Sequence, residues 1–537
     1  MKSASRNLIS HSTRFRFIGL RALLASLLLS SFATAQDAHL AAFSRSAPPP
    51  APREFRAVWI ASIGNLQWPR PNRSVEQQKQ DMIDLLDKCV ALNLNAVIVQ
   101  IRPGADALYK SDLEPWSDYL TGVQGQAPNP YYDPMELWIT ECHRRGIEFH
   151  AWFNPYRVSP AGGKFAANSI MRTHPEIVRT YGTSLWMDPG EPLATQHTLA
   201  VLKDIVTRYD IDGLHTDDYY YPYRVTDKAS SKPVDFPDAA TYKRYKQTGG
   251  KLALDDWRRN NINQLVEQIY TQTRRIKPAI KIGYAPFGIW KKDNPPGIKG
   301  MSQMDVLYSD PKLWLQKGWL DYLAPQLYWH IGGDQDFKSL FNWWLAQDTQ
   351  HRHLWPGVNI GKNGDDEILD QIKVVRSLAN PGTIFWNVSG LTAPRQLAAL
   401  PREYDTKPGV KGHPTAPWRA KDGEDLGKAL VTGPYTEKAI IPPSPWLDHT
   451  SPAPPIVTAK RNNDSAFISL EPAAGEPTFV YAIYVRYGNS WRFTTLPGGA
   501  PSITLNADPT SGPATQVVVS AVDRTGNESL RATVQIR

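Results

Sequence analysis

Between about residues 53 and 400 the chain alternates short apolar runs with longer stretches whose apolar residues recur at helical spacing. The apolar runs begin near Arg56, Asn95, Ile147, Ile211, Ala279, Leu320, Leu354 and Thr383, and amphipathic stretches such as 75–92, 134–145 and 254–276 lie between them. Strand and helix alternating in this way predict parallel βαβ units. Eight of them in about 350 residues predict a (β/α)8 TIM barrel of the α/β class, with its longest insertions after strands two, three and four, on the face where such barrels carry their sites.

The texture differs on either side. Residues 1–35 combine a basic start (Lys2, Arg6, Arg14, Arg16) with an apolar run from Leu20 to Phe32 and an Ala33-Thr34-Ala35 cleavage signal. They read as a signal peptide, too short and too rich in small residues for a stable membrane span. Residues 36–52 are an Ala/Pro-rich linker, 53–400 the barrel, and 401–451 a Pro/Gly-rich extension. From 452 to 537, short alternating strands at 467–470, 480–486, 491–494, 516–522 and 532–536 predict a small all-β sandwich whose last hairpin resembles fibronectin type III domains.

Charge adds little once the signal is set aside. The formal +8 falls to +3 when the five basic residues of 1–35 are removed, and no basic stripe remains to bind nucleic acid. No transmembrane helix is expected after signal cleavage, and the location is periplasmic or secreted. Cys89 and Cys142 fit either a disulfide or two buried thiols. Eighteen Trp and 23 Tyr supply flat apolar faces with polar tips, suited both to loop packing and to stacking on sugar rings.

Side chains of a barrel strand alternate between axis and helices, and those at the C-terminal end face a substrate. In the third strand Ile147, Phe149, Ala151 and Phe153 suit the helices, so Glu148, His150, Trp152 and Asn154 face the axis. In the fourth, Gly213, His215 and Asp217 share the inner face and Asp218 begins the loop. Glycoside cleavage needs two carboxyl groups in different protonation states, and adjacent acids raise one another's pKa. Asp217 and Asp218 are therefore the catalytic candidates, against the plainer reading of a turn-capping pair. Trp59, Gln100-Ile101-Arg102, Gln326, Tyr328, Trp329 and Trp386 or Asn387 stand at other strand ends and are candidates for holding sugar. Asp188 and Asp310 are further candidates for the second carboxylate, although Asp310 before Pro311 also suits a helix N-cap.

His150, His215, Asp217 and Asp218 are residue types that could form a hydrolytic metal centre, but they lack a close His-x-x-x-His pair or a Cys ligand set, so neither metal nor cofactor is expected. A G-x-S-x-G elbow and a Gly-rich phosphate loop are absent from the sequence.

Several longer motifs carry a family resemblance. Arg56-Ala57-Val58-Trp59-Ile60-Ala61, the stretch from His150 to Ser159, Leu185-Trp186-Met187-Asp188-Pro189-Gly190, Asp212-Gly213 with Asp217-Asp218-Tyr219, and the stretch from Leu320 to Trp329 resemble the glycosyl hydrolase-like 10 family across roughly 53–395. The resemblance implies a glycoside hydrolase of a cell-wall glycan, with peptidoglycan strands stripped of peptides as substrate. It implies that Asp217-Asp218 is the catalytic centre, that Asn154, Tyr156, Arg157 and Tyr219 line the cleft, and that Asp188 sits on a lid-like loop. Another exported polysaccharide such as poly-N-acetylglucosamine, and a wall-binding protein without turnover, are the alternatives. Protein partners are not readable from the sequence.

Overall fold

The computed structural model describes residues 47–378, 381–392 and 423–537. The expected signal peptide, most of the first linker and the first half of the 401–451 extension lie outside the described residues. Among the described residues no helix is long and apolar enough to cross a membrane.

The strands are β1 Phe55–Ile60, β2 Ala96–Arg102, β3 Glu148–Phe153, β4 Gly213–Thr216, β5 Lys281–Tyr284, β6 Tyr322–Leu323, β7 in two segments (His353–Leu354 and Gly357–Asn359) and β8 Gly382–Trp386. All pair in parallel. The first segment of β7 pairs with β6 and the second with β8, so the sheet begins and ends on one strand. Leu327 N–H donates to Gly357 O at 3.1 Å, and Ile384 N–H to Pro356 O at 3.1 Å, on either side of that strand. The result is a curled parallel sheet whose edges meet, in a mixed α/β architecture.

Among the described residues, helices that follow the strands include α1 Val75–Ala91, α2 Pro134–His143, α3 Pro192–Arg208, α4 Leu254–Ile276, α5 Pro311–Lys317, α6 Phe337–Gln347 and α7 Asp365–Ser377. Their starts are written locally. Ser74 and Gln77 form a reciprocal capping box on α1, and Asp133 caps α2 ahead of Pro134. Each helix lays an apolar stripe on outward strand residues such as Val58, Val97, Phe149 and Leu214, which form one continuous core with Leu86, Trp138, Leu202 and Leu265.

Large inward side chains are accommodated by glycine. A Cβ on Gly213 would lie 2.2 Å from His150 Nδ1, and one on Gly283 would lie 1.9 Å from the Tyr322 ring. No other residue fits at either place, so the two glycines make the room for the polar column described below.

Two β-sheets follow the barrel, one of Ile456–Asn462, Ser465–Glu471 and Ser502–Leu505, the other of Ser490–Pro497, Val480–Tyr487, Ala514–Val522 and Ala532–Gln535. They dock on the end of the sheet where the strands begin. Arg524 makes a two-pronged bond to Asp210 at 2.6 and 2.5 Å, Lys281 Nζ donates to Arg524 O at 2.5 Å, and Arg53 pairs with Glu528 at 2.9 Å. The opposite, C-terminal end is left to the loops. The loop after β3 folds its own antiparallel sheet from Arg157–Pro160, Val178–Tyr181 and Ser184–Met187. Cys89 and Cys142 are buried free thiols, with burial pushing Cys89 up to about 12.

Candidate active site

The alternation within β3 and β4 brings Trp152, Asn154, His215 and Asp217 to the axis. Asp217 is the hub. Asn154 Nδ2 lies 2.8 Å from each of its carboxylate oxygens, Trp152 Nε1 donates to Oδ2 at 3.1 Å, and the Tyr219 backbone N–H donates to Oδ1 at 3.0 Å. The side chain is 8% exposed. Burial raises its pKa, while the nearby Arg157 charge and the donors oppose the rise.

Asp218 points elsewhere. Its Oδ1 accepts from Gln326 Nε2 at 3.1 Å, and its Oδ2 accepts a short bond from Tyr223 Oη. Burial, and then the charge of Asp217, push it up to about 7. The same Gln326 nitrogen donates to Ala285 O at 2.9 Å, which settles which end of that amide faces the acid. The two neighbours thus differ in surroundings: Asp217 sits among donors that favour its anion, while burial beside that charge favours the protonated form of Asp218.

Around them stand aromatic rings. Trp386 lies with ring centroids 6.1 Å from Trp59, 6.2 Å from Trp152 and 6.4 Å from Tyr328. Arg157 lies 4.4 Å over the Tyr219 ring and 5.6 Å over Trp186. Trp329 packs edge-on to Phe287 at 5.5 Å, on the rim made by the β5 and β6 loops.

Beneath the acids runs a buried polar column. Trp59 Nε1 donates to His215 Nε2 at 3.1 Å, so His215 must carry its proton on Nδ1 and donate it to Tyr322 Oη at 2.9 Å. Tyr322 then donates to His150 Nδ1 at 2.8 Å, and His150 Nε2 donates to Glu148 at 2.9 Å. Lys281 closes the column at 2.6 Å from Glu148. Burial and the neighbouring His150 hold the His215 pKa well below its ordinary value, in keeping with a neutral ring that accepts from Trp59. His150 and His215 are therefore joined to the floor of the site, not to its opening. Among the described residues no group of three or more His, Cys, Asp or Glu is placed to hold a metal ion.

Three expected cleft residues are placed away from this cluster. Arg102 is fully buried, paired with Glu114 at 2.5 Å and donating to the carbonyls of Asn154 and Pro155. The register shift between Gln100 and Arg102 in β2 is a bulge that reverses which face Arg102 takes. Tyr156 is buried on the helix side, bonded to Thr195 at 3.1 Å. Asp188 is buried in a closed set with Thr241 at 2.6 Å, Gly190 N at 2.9 Å and Arg179 at 3.0 Å. Asp310 caps α5 through Leu313 N at 3.2 Å. Of the strand-two candidates Gln100 does reach the site, and so does Tyr223, which the sequence pattern does not single out. Gln100 is inward by the same alternation as Trp59, but Tyr223 lies in an irregular loop where no period exists to place it.

The family model for glycosyl hydrolase-like 10 matches residues 54–362, from the residue before β1 to just past β7. The chain is 39% identical over 465 residues to glycosyl hydrolase YngK of Bacillus subtilis (strain 168), covering 82% of this chain and 84% of the relative. It is 34% identical over 373 residues to glycosyl hydrolase DigH of Escherichia coli (strain K12), covering 64% and 82%. Among solved structures it is similar to the PgaB (BpsB) glycoside hydrolase domain from Bordetella bronchiseptica, at 18% identity and a TM-score of 0.41, covering 62% of this chain and 94% of that one. Since the matched span carries both Asp217 and Asp218 and the groups that hold them, and the alignment to YngK runs along most of both chains, the protein belongs to the glycosyl hydrolase-like 10 family.

Proposed function

We infer that this glycoside hydrolase cleaves an amino-sugar polymer, with peptide-free peptidoglycan glycan strands as substrate, after export to the periplasm or beyond. The observation that carries the reading is the unequal pair: Asp217 clamped by Asn154, Trp152 and the Tyr219 N–H, next to a buried Asp218 that the neighbouring charge pushes up to about 7. Hydrolysis of a glycosidic bond asks for a proton at the leaving oxygen and a negative charge near the forming oxocarbenium ion. Asp218, near 7, supplies the first and Asp217 the second. Tyr219, Tyr328, Trp329 and Trp386 are the stacking surfaces for sugar rings, and Arg157 and Gln326 reach hydroxyl or carbonyl oxygens. The C-terminal sheets are a fibronectin type III-like sandwich that docks on the barrel floor and takes no part in chemistry.

The test is a digest of amidase-treated, peptide-free strands by residues 36–537 and by its Asp218→Asn variant, read by mass spectrometry. Water-added oligosaccharides from the wild type, reduced at least about 10²-fold in the variant, are expected for loss of a positioned proton donor. Intact strands that remain bound to both proteins would replace the hydrolase by a wall-binding protein. Cleavage of poly-N-acetylglucosamine in place of these strands would move the substrate.

A further inference from the structure

The hydrogen bonds of Asp217 bear on which atom attacks the anomeric carbon. An ionised carboxylate has about four lone-pair sites. Here three donors surround the two oxygens: Tyr219 N on Oδ1, Trp152 Nε1 on Oδ2, and Asn154 Nδ2 shared between both. An oxygen in this state keeps its charge, but attack on carbon, or abstraction of a proton from water, would require it to shed a donor first. The donors are held firmly, because Asn154 is itself fixed by Gln100 Nε2 at 2.7 Å. On the hydrolase reading Asp218 is the proton donor to the leaving oxygen. Of the other carboxylates on the loops at this end of the sheet, Asp188 is engaged with Thr241 and Arg179, Glu114 with Arg102 and His197, and Asp310 with the start of α5, while Asp106 is buried away from the opening.

The rings beside the acids have a matching property. The N–H of Trp152 is spent on Asp217 and that of Trp59 on His215, so the polar tips of both indoles are turned into the barrel. With Trp386 and Tyr328 packed beside them at 6.1 to 6.4 Å, these rings offer carbon next to the acids. A small apolar group on the sugar, next to its reacting carbon, fits such a surface better than a hydroxyl does.

We propose that the nucleophile is the substrate's own 2-acetamido oxygen, so that the enzyme acts only on glycans whose sugar at the cleaved bond is N-acetylated, with Trp59, Trp152, Trp386 and Tyr328 around the acetamido methyl. This rests on the hydrolase reading above and specifies its chemistry. The acetamido carbonyl oxygen forms a bond to C1 as the C1–O glycosidic bond breaks, and the leaving oxygen takes the Asp218 proton. The resulting oxazolinium cation lies beside the Asp217 charge. Water then attacks C1 and gives a proton to Asp218, and the C1–O bond of the ring opens to restore the acetamide. Configuration at C1 is retained, and no bond to the protein forms.

The experiment uses the full chain and two strand preparations, one N-acetylated and one chemically N-deacetylated, with anomers followed by proton NMR and the protein by rapid-quench mass spectrometry. Retention, an unmodified protein, and at least about a 10³-fold slower turnover of deacetylated strands are expected. The oxazoline mimic N-acetylglucosamine-thiazoline should inhibit at least about 10²-fold below KM, as transition-state analogues do. Inverted product, a glycosyl adduct on the protein, or equal turnover of both preparations overturns the proposal while leaving the hydrolase standing. No turnover of either preparation brings down the hydrolase reading itself and this proposal with it.

Discussion

Asn154 donates from one nitrogen to both oxygens of Asp217, and the direction of that bond is fixed from below. The backbone N–H groups of Ser62 and Ile63 point at Gln100 Oε1 at 3.1 and 3.0 Å, so Gln100 must offer its NH2 to Asn154 Oδ1. Asn154 is left with its own NH2 for Asp217. Backbone geometry after β1 thereby dictates that Asp217 faces a donor, two side chains away. Asn154→Ala should lower kcat about 10²- to 10³-fold, the usual cost of losing one preorganised donor, with KM changed little. Gln100→Leu acts through Asn154 and should cost less, about tenfold, on the same parameter. Steady-state kinetics on glycan strands separate the two; a loss confined to KM in either variant would mean that these amides bind substrate and do not set Asp217.

Asp218 must be protonated to act and Asp217 ionised. Activity should therefore fall as pH rises through about 7, where Asp218 loses its proton, and fall again as pH drops below the raised Asp217 value. In Asp217→Asn the neighbouring charge is gone but burial remains. The Asp218 titration should then move down yet stay above the ordinary carboxylate range. Carbon-13 NMR of labelled aspartate in that variant reads the shift directly, and an unmoved titration would show that burial alone sets it.

The paired acids and the inner face of β3 were legible in the sequence because period-two alternation holds through both strands: Trp152 and Asn154 face Asp217 as expected. Arg102 shows where that reasoning stops. A one-residue bulge in β2 reverses parity, and nothing in Gln100-Ile101-Arg102 announces it. Tyr156 and Asp188 follow strand ends, where alternation no longer constrains direction, and each is drawn to a partner, Thr195 and Thr241, that is distant in sequence. The split of β7 at Trp355-Pro356, which lets one strand serve both edges of the sheet, likewise depends on pairing that only the closed sheet defines.

Asp218 also carries a cost. A carboxyl held at about 7 in the fold and near 3.9 when unfolded binds its proton more tightly when folded. Its contribution is favourable below the unfolded value and is lost as pH rises through 7, leaving a penalty of up to about 4 kcal/mol above that. Asp218→Asn should therefore raise Tm at pH 8 and gain little at pH 4. Thermal melts of both proteins across that range check the sign; a variant less stable at pH 8 would mean that the Tyr223 and Gln326 bonds outweigh the buried charge.

At the other end of the sheet, two of the contacts that tie the sandwich to the barrel differ in burial and so in strength. The Arg524–Asp210 pair is partly exposed, at 35% and 63% for the two side chains, so solvent screens it to at most about 1 kcal/mol; Arg524→Ala also removes the approach of its Nε to buried Asp212 at 3.5 Å, for a loss still expected below that at Lys281. Lys281 is fully buried, with Glu148 at 2.6 Å and Arg524 O at 2.5 Å as its partners. Lys281→Met leaves the Glu148 carboxylate buried with only His150 to answer it, and should cost about 3–5 kcal/mol. Adding Glu148→Gln to Lys281→Met removes the stranded charge and should restore part of that loss, a non-additivity expected of residues in direct contact. Urea unfolding of the three variants decides the ranking. Equal losses for Arg524→Ala and Lys281→Met would place the docking energy in the surface pair. A larger loss for Lys281→Met, partly reversed in the double variant, would show that the sandwich is held through the same buried column that ends beneath Trp59 in the active site.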